Sequence, residues 1–458
     1  MKKLLYHPEW GIVCLSFAIL FFSGNGSYEG GDIAAARRSY LGENPIDIWG
    51  AFSGFFYSLL PNSLLPWGLW LAIIQISATS AGLILIFRSI KITNTADSLA
   101  FFTLAYVILS FTGYLTRDST LASLYIFGVG LIFMSINRRN YLNYVCFYTG
   151  ILFIVLAMAF RPWLGFAAVF PILYLSKNRL KLIFLTFILI VLPFSLDRLS
   201  YLTNNFNSVH PEFQVVISDL SAMACLSSNQ ITRERGVFLL NEFDKTSYTS
   251  SEICNDYRIN TWQGLGRWSV KSSELGSDVR LDGNQATSKI PISSDLTDLQ
   301  VSNIRDAWIN FIFDHPKEYI QVKLIHAVQI GFAGDSWGLR IFTAENFKDQ
   351  IAGLLFIPFD LLISLHLLSP LMTLLFGTLI ICVKLKKFSL VSILKNRDIA
   401  FAFLFLTMWL LFSAVAYIGD NGRYTYFSSF IFYILILKGS NELKIRAGQG
   451  TKVKMKLN

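Results

Sequence analysis

Charge is the first thing this sequence lacks. Asp, Glu, Lys and Arg make up 15% of its 458 residues, against about 25% in soluble globular chains. With 53% hydrophobic residues and a mean hydropathy of +0.49, that scarcity excludes a soluble domain of this size. Histidine is scarce too: the five are scattered, with no pair at metal-ligand spacing, which argues against a histidine-built metal site. His315 precedes a proline and reads as a turn residue rather than a base. No Gly-x-Ser-x-Gly element, P-loop or internal repeat occurs, so the motif routes to a serine hydrolase, a nucleotide-binding loop or a solenoid are closed. Lys2 and Lys3 precede the apolar run 11–22, but no small-residue cleavage site follows, so the run reads as a retained span.

What the chain has in abundance is apolar runs near the length of about twenty residues that crosses a hydrocarbon core. They fall near 10–23, 66–87, 97–114, 119–136, 141–160, 162–176, 181–196, 365–383, 399–417 and 424–438. Lys2/Lys3, Arg88/Lys91, Arg138/Arg139, Lys177/Arg179/Lys181, Lys384/Lys386/Lys387 with Lys395/Arg397, and the tail from Lys444 to Lys456 then all lie on one side. Basic residues mark the cytoplasmic side. The net charge of +9 therefore reports topology and points to no nucleic-acid partner. The expected fold is an all-α polytopic membrane protein of about ten spans, both termini cytoplasmic. Its expected divisions are a bundle over 1–196, an outer, mainly α region over 197–350, further spans over 351–440, and a basic tail over 441–458. The segment 351–383 is broken by Pro358 and Pro370 and is read as one span preceded by an interfacial piece. Two full spans there would put Lys384–Arg397 outside.

The loop 23–67 is long for a connection inside a bundle, which marks it as functional or disordered. Trp49, Phe52, Phe55, Phe56, Tyr57 and Leu59 argue against disorder, and predict an amphipathic helix near 46–60 lying on the bilayer. Glu29 and Asp32 lie in a glycine-rich turn just before it. Three other outer turns also carry charge: Thr116-Arg117-Asp118-Ser119, Arg161-Pro162-Trp163, and Gly419-Asp420-Asn421-Gly422-Arg423-Tyr424. Arginine grips phosphate bidentately, and a carboxylate can take a proton from a hydroxyl or hold a divalent ion. The plain alternative for each arginine is an interfacial anchor, and for Asp118 a local pair with Arg117.

The outer region is rich in Ser, Asn and Asp. Cys225 and Cys254 are alone there, because Cys14, Cys146 and Cys382 lie in apolar runs. An exported compartment is oxidising, so a Cys225–Cys254 disulfide is expected. Helical periodicity over 304–332, interrupted by Asp314-His315-Pro316, predicts two helices joined by a proline turn.

With these residues in view, the chain resembles the C-type (GT-C) superfamily of polytopic glycosyltransferases, which includes protein O-mannosyltransferases and aminoarabinose transferases. The resemblance rests on the acidic first outer loop (Glu29, Asp32), the pair Arg117-Asp118, the series Trp308…His315-Pro316…Tyr319, and Arg423-Tyr424 opening the last span. The spacing Glu29-Gly-Gly-Asp32 departs from the adjacent carboxylates of the family and leaves open which acid acts, with Asp32 favoured. The resemblance implies transfer of a sugar, with inversion, from a polyprenyl-phosphate donor to a glycan, lipid or protein acceptor on the outer face of a bacterial plasma membrane. Asp32, with Glu29, would serve as base or hold a divalent cation such as Mg or Mn. Arg117, Asp118, Arg161, Asp420, Arg423 and Tyr424 would bind the lipid phosphate and substrate. Two other readings stay open: an O-antigen-type polymerase or ligase, and a transporter of lipid-linked sugar. Transport predicts ionisable residues within spans and related halves, features the sequence shows little of.

Overall fold

A computed structural model describes residues 8–23, 31–42, 51–61, 65–90, 92, 95–113, 115–136, 141–161, 179–202, 213–244, 249–256, 297–332, 369–385, 391, 393, 395–415 and 426–456. Every regular element among them is an α-helix, sixteen in all. In chain order they are α1 (Pro8–Ser23), α2 (Gly31–Tyr40), α3 (Ala51–Ser58), α4 (Trp67–Ser89), α5 (Thr95–Gly113), α6 (Arg117–Ile136), α7 (Tyr141–Ala159), α8 (Arg179–Leu202), α9 (Phe213–Leu226), α10 (Gln230–Asp244), α11 (Ser250–Asp256), α12 (Asp298–Asp314), α13 (Pro316–Phe332), α14 (Pro370–Lys384), α15 (Arg397–Val415) and α16 (Tyr426–Lys456).

Four of these, α4 to α7, are long and apolar enough to cross a membrane, while α1 and α14 are shorter apolar helices. The described parts of the expected runs near 10–23, 66–87, 97–114, 119–136, 141–160, 181–196, 365–383, 399–417 and 424–438 fall almost wholly on helices, whereas 162–176 lies outside the described residues. The bundle packs through α6, which is wedged between α4 and α7. Positions two residues apart sit about 200° around a helix, so Gly128 and Gly130 face opposite neighbours. A methyl group on Gly130 would meet the Gly82 carbonyl of α4 at 2.7 Å, and one on Gly128 would meet the Gly150 carbonyl of α7 at 2.6 Å. Small residues at these crossings let the backbones touch, the packing that apolar helices use where lipid removes a hydrophobic driving force.

A second apolar core forms within 213–332 from Val216, Leu220 and Met223 of α9, Leu239 and Leu240 of α10, Ile253 of α11, Ile304 and Phe311 of α12, and Val322 of α13. The two helices expected over 304–332 are α12 and α13. Thr297 caps α12 in a reciprocal box with Gln300, and His315 at the proline turn ends it. A disulfide joins Cys225 at the end of α9 to Cys254 on α11, with Cα atoms 5.4 Å apart. Apolar contacts of Ala327 with Leu371 and Leu410 tie α13 to α14 and α15.

Three details differ from the sequence reading. The glycine-rich turn gives way at Gly31 to helix α2, so Asp32 lies in a helical first turn. Helix α3 does not lie on the surface: Ala51, Phe52, Ser53, Gly54 and Tyr57 are buried, and Phe52 and Tyr57 join the bundle core. Its aromatics find partners there in Phe160 and Trp67, which gains more than an interfacial position would. Finally, α16 runs on to Lys456, so the basic stretch begun at Lys444 continues the helix; Lys and Arg are good helix formers.

Candidate functional site

Helix α6 starts with its own cap. The Thr116 hydroxyl accepts from the Ser119 N–H at 3.1 Å, and the Ser119 hydroxyl donates to the Phe111 carbonyl of α5 at 3.0 Å. That fixes the tight α5–α6 turn. Below it the Gln75 amide of α4 bridges, donating to the Thr112 carbonyl at 3.1 Å and accepting from the Thr120 hydroxyl at 2.6 Å. The Tyr57 hydroxyl of α3 reaches the same Thr120 at 3.2 Å. A first-turn carboxylate on this frame is favoured by the helix dipole, and Asp118 occupies that place.

Asp118 pairs with Arg161, at the end of α7, and the pair is two-pronged: Nε to Oδ1 at 2.9 Å and Nη2 to Oδ2 at 3.3 Å. The Asp118 side chain is 6% exposed and that of Arg161 22%. The partner that clasps Asp118 lies 43 residues away, not only next to it in the chain. Arg117 acts electrostatically on Asp197 of α8. Asp197 in turn accepts from the Phe52 N–H at 3.0 Å and from the Ala51 backbone, capping α3 from another helix. Arg37 of α2 donates to the Tyr57 carbonyl at 3.2 Å and lies over the Trp67 ring.

Helix ends α2, α3, α6, α7 and α8 thus bring Arg37, Arg117, Asp118, Arg161 and Asp197 to one end of the bundle. A shallow groove of about 530 Å³ runs along a different face of α8, lined by Ile190, Val191, Phe194, Arg198, Leu199 and Leu202, and no residue of the charged cluster lines it. Chemically the cluster is a preorganised, arginine-rich set of helix ends. Of the residues singled out from sequence, Arg117, Asp118 and Arg161 come together there. Asp32 is placed only by its backbone, on the helix that carries Arg37. Glu29, Asp420, Arg423 and Tyr424 lie outside the described residues. Among the described residues no group of three His, Cys, Asp or Glu side chains is arranged to hold a metal. Asp197 and Gln75 were not singled out from sequence. An Asp-Arg pair at a helix end reads as a solvated turn, and nothing local announces a cap donated across 145 residues.

A second polar cluster sits among α9, α12 and α13. Asp219 of α9 is buried and accepts from Lys323 at 2.5 Å and from the Tyr319 hydroxyl at 3.1 Å, with the Trp308 indole close by. Burial pushes the Asp219 carboxyl above the usual range, against the pull of Lys323 and of the hydrogen bonds from Lys323 and Tyr319. Burial, then the Asp219 charge, raises the Tyr319 phenol. Burial, then Lys323, lowers the His326 imidazole to about 3. Trp308 and Tyr319 therefore meet on a carboxylate. His315 lies apart from it, its Nδ1 3.0 Å from the Thr232 hydroxyl, as a turn residue docked on α10. No protein-family model, curated protein or solved structure matches this chain.

Proposed function

We propose that this protein is a multi-pass membrane glycosyltransferase that moves a sugar from a polyprenyl-phosphate donor to a glycan, lipid or protein acceptor at the outer face of a bacterial plasma membrane. The supporting observation is the gathering of Arg37, Arg117 and the Arg161–Asp118 pair at one bundle end, on a bundle whose helix α8 also carries an apolar groove. A donor of this class has an anionic phosphate on a long apolar chain, and the two features match its two halves. On this reading there are about ten spans, with 197–350 outside and both termini inside.

In the proposed step the acceptor hydroxyl attacks the anomeric carbon from the face opposite the phosphate. The new carbon–oxygen bond forms as the bond to the lipid phosphate breaks, and the hydroxyl proton passes to a carboxylate, for which Asp32 on α2 is our assignment. Polyprenyl phosphate leaves with its charge held by Arg117 and by Arg161, the latter preset by Asp118. A divalent cation bound to the donor phosphate is compatible with this step and not required by it.

The test is binding and turnover of polyprenyl-phosphate monosaccharides by the reconstituted protein. Arg117→Ala is expected to weaken donor binding by at least about tenfold, the loss of one charge-assisted contact. Asp32→Ala is expected to abolish transfer while leaving donor binding intact. Turnover only with a long glycan carried on a lipid diphosphate would replace this reading by a polymerase or ligase. Unaltered transfer in Asp32→Ala would remove that residue from catalysis.

A further inference from the structure

Helix α13 has two unlike faces. Tyr319, Val322, Lys323, His326 and Ala327 turn into the protein. On the other side Ile320, Leu324 and Val328, spaced one helical turn apart, are each more than half exposed. Among the described side chains, the polar residues on that side are Lys317 and Gln321, in the first half of the helix. An apolar stripe of this kind on a helix facing water would be costly, at about 25 cal/mol for each Å² left uncovered.

What covers it is indicated by the stripe's neighbour. Ala327, on the flank of the exposed row, packs on Leu371 of α14 and Leu410 of α15. Leu371 opens the outward row of α14, which continues through Leu375, Leu379 and Val383, the last three each more than half exposed. Leu411, next to Leu410, and Leu404 form the exposed face of α15. The uncovered row of α13 is thus continuous with the uncovered rows of two apolar helices. Acyl chains would cover those rows if α14 and α15 cross a membrane.

We propose that α13 lies at the lipid boundary, with Ile320, Leu324 and Val328 in contact with the acyl chains of the leaflet at the ends of α14 and α15. The outer region is then seated in that leaflet as well as tethered to it. The Asp219–Lys323–Tyr319 cluster, on the opposite face of α13, is held at the depth of the lipid head groups. The proposal rests on α14 and α15 spanning a membrane and not on the sugar chemistry.

The test uses single-cysteine variants in which Cys14, Cys146 and Cys382 are serine and the Cys225–Cys254 disulfide is kept. An environment-sensitive fluorophore is placed at Leu324→Cys, Val328→Cys, Lys317→Cys and, as a control for membrane insertion, Leu375→Cys. In phosphatidylcholine vesicles, phospholipid carrying a spin label high on its acyl chain is expected to quench positions 324 and 328 several-fold more than 317. Aqueous iodide should show the reverse order. Quenching of 324 and 328 by iodide alone, with 375 still quenched by lipid, overturns the proposal. So does protection from both quenchers, which means a second copy or another part of the chain covers the stripe. Wild-type protein gives an independent check: a photoactivatable phospholipid should label the tryptic peptide beginning at Leu324, and a peptide left unlabelled while α14 is labelled counts against the seat.

Discussion

Asp118 is the residue whose surroundings most restrict what it can do. A carboxylate 6% exposed and clasped on two edges by Arg161 is committed to positioning, so chemistry at this end falls to other acids. Removing one partner strands a buried charge, at about 3–5 kcal/mol, whereas replacing both with apolar side chains of like volume is close to neutral. Asp118→Leu and Arg161→Met are therefore each expected to lower the thermal midpoint in detergent markedly, and the double variant to recover most of the loss. Equal damage in all three would mean that the fold needs the ion pair itself and not merely the absence of a stranded charge. His326 offers a second test. Its folded-state pKa of about 3 lies below the usual 6.5, so below pH 6.5 the unfolded chain binds a proton that the folded one refuses. The stability from keeping His326 neutral is complete above 6.5 and is lost as pH falls toward 3. The slope is about 1.4 kcal/mol per pH unit, or about 2 kcal/mol between pH 6.5 and 5. His326→Gln should flatten that part of the pH dependence of unfolding, with the difference between the two profiles isolating this group from Asp219. Parallel profiles would place the imidazole in contact with water.

At the scale of the element, helix contact is set by glycine as much as by bulk. Gly82, Gly130, Gly128 and Gly150 bring carbonyl oxygens to within 2.6–2.7 Å of where a Cβ would stand, and the obstacle is backbone, which no rotamer change relieves. Gly130→Val should force α4 and α6 apart, costing about 1–3 kcal/mol or more. Gly236→Ala in α10, whose nearest neighbours are at 3.2 Å, should cost little, and melting of the purified variants compares the two. Much at this scale was legible in the sequence because it follows local rules: the apolar runs that became α4 to α7, the break at Asp314-His315-Pro316, and the two cysteines left over outside the apolar runs. What was not legible depends on partners far along the chain. No spacing rule pairs Asp118 with Arg161, or sends Asp197 to cap α3. Nor does a run of aromatics from Phe52 to Tyr57 say whether it faces lipid or the Phe160 ring. The hydrophobic pattern marks an apolar face without naming what covers it, and here protein covers it.

Taken whole, the molecule sorts its charges to the ends of its helices. Arg88, ending α4, pairs with Glu9, beginning α1; Lys384, ending α14, pairs with Asp97, beginning α5; Lys438 of α16 pairs with Asp398, beginning α15. The Asp118–Arg161 pair joins the start of α6 to the end of α7 at the other end of the bundle. Each pair joins ends that the proposed ten-span path, with 162–176 counted as a crossing, puts on one side, and the Lys384–Asp97 contact, spanning 287 positions, fits that path for the C-terminal helices too. A path with an extra crossing between α8 and α14 would send Lys384 and Asp97 to opposite sides of the bilayer, where they could not meet. The alternation therefore predicts sidedness that can be read directly. Ser228, exposed between α9 and α10, and Lys395, exposed just before α15, are replaced one at a time by cysteine in a chain whose three free cysteines are serine. A membrane-impermeant maleimide applied to intact cells stripped of their outer layers should modify Ser228→Cys at once and reach Lys395→Cys only after the membrane is opened. Modification of both from the same side would break the alternation between the two halves, and the arginine-rich end would lose its assignment to the outer face together with the donor chemistry proposed for it.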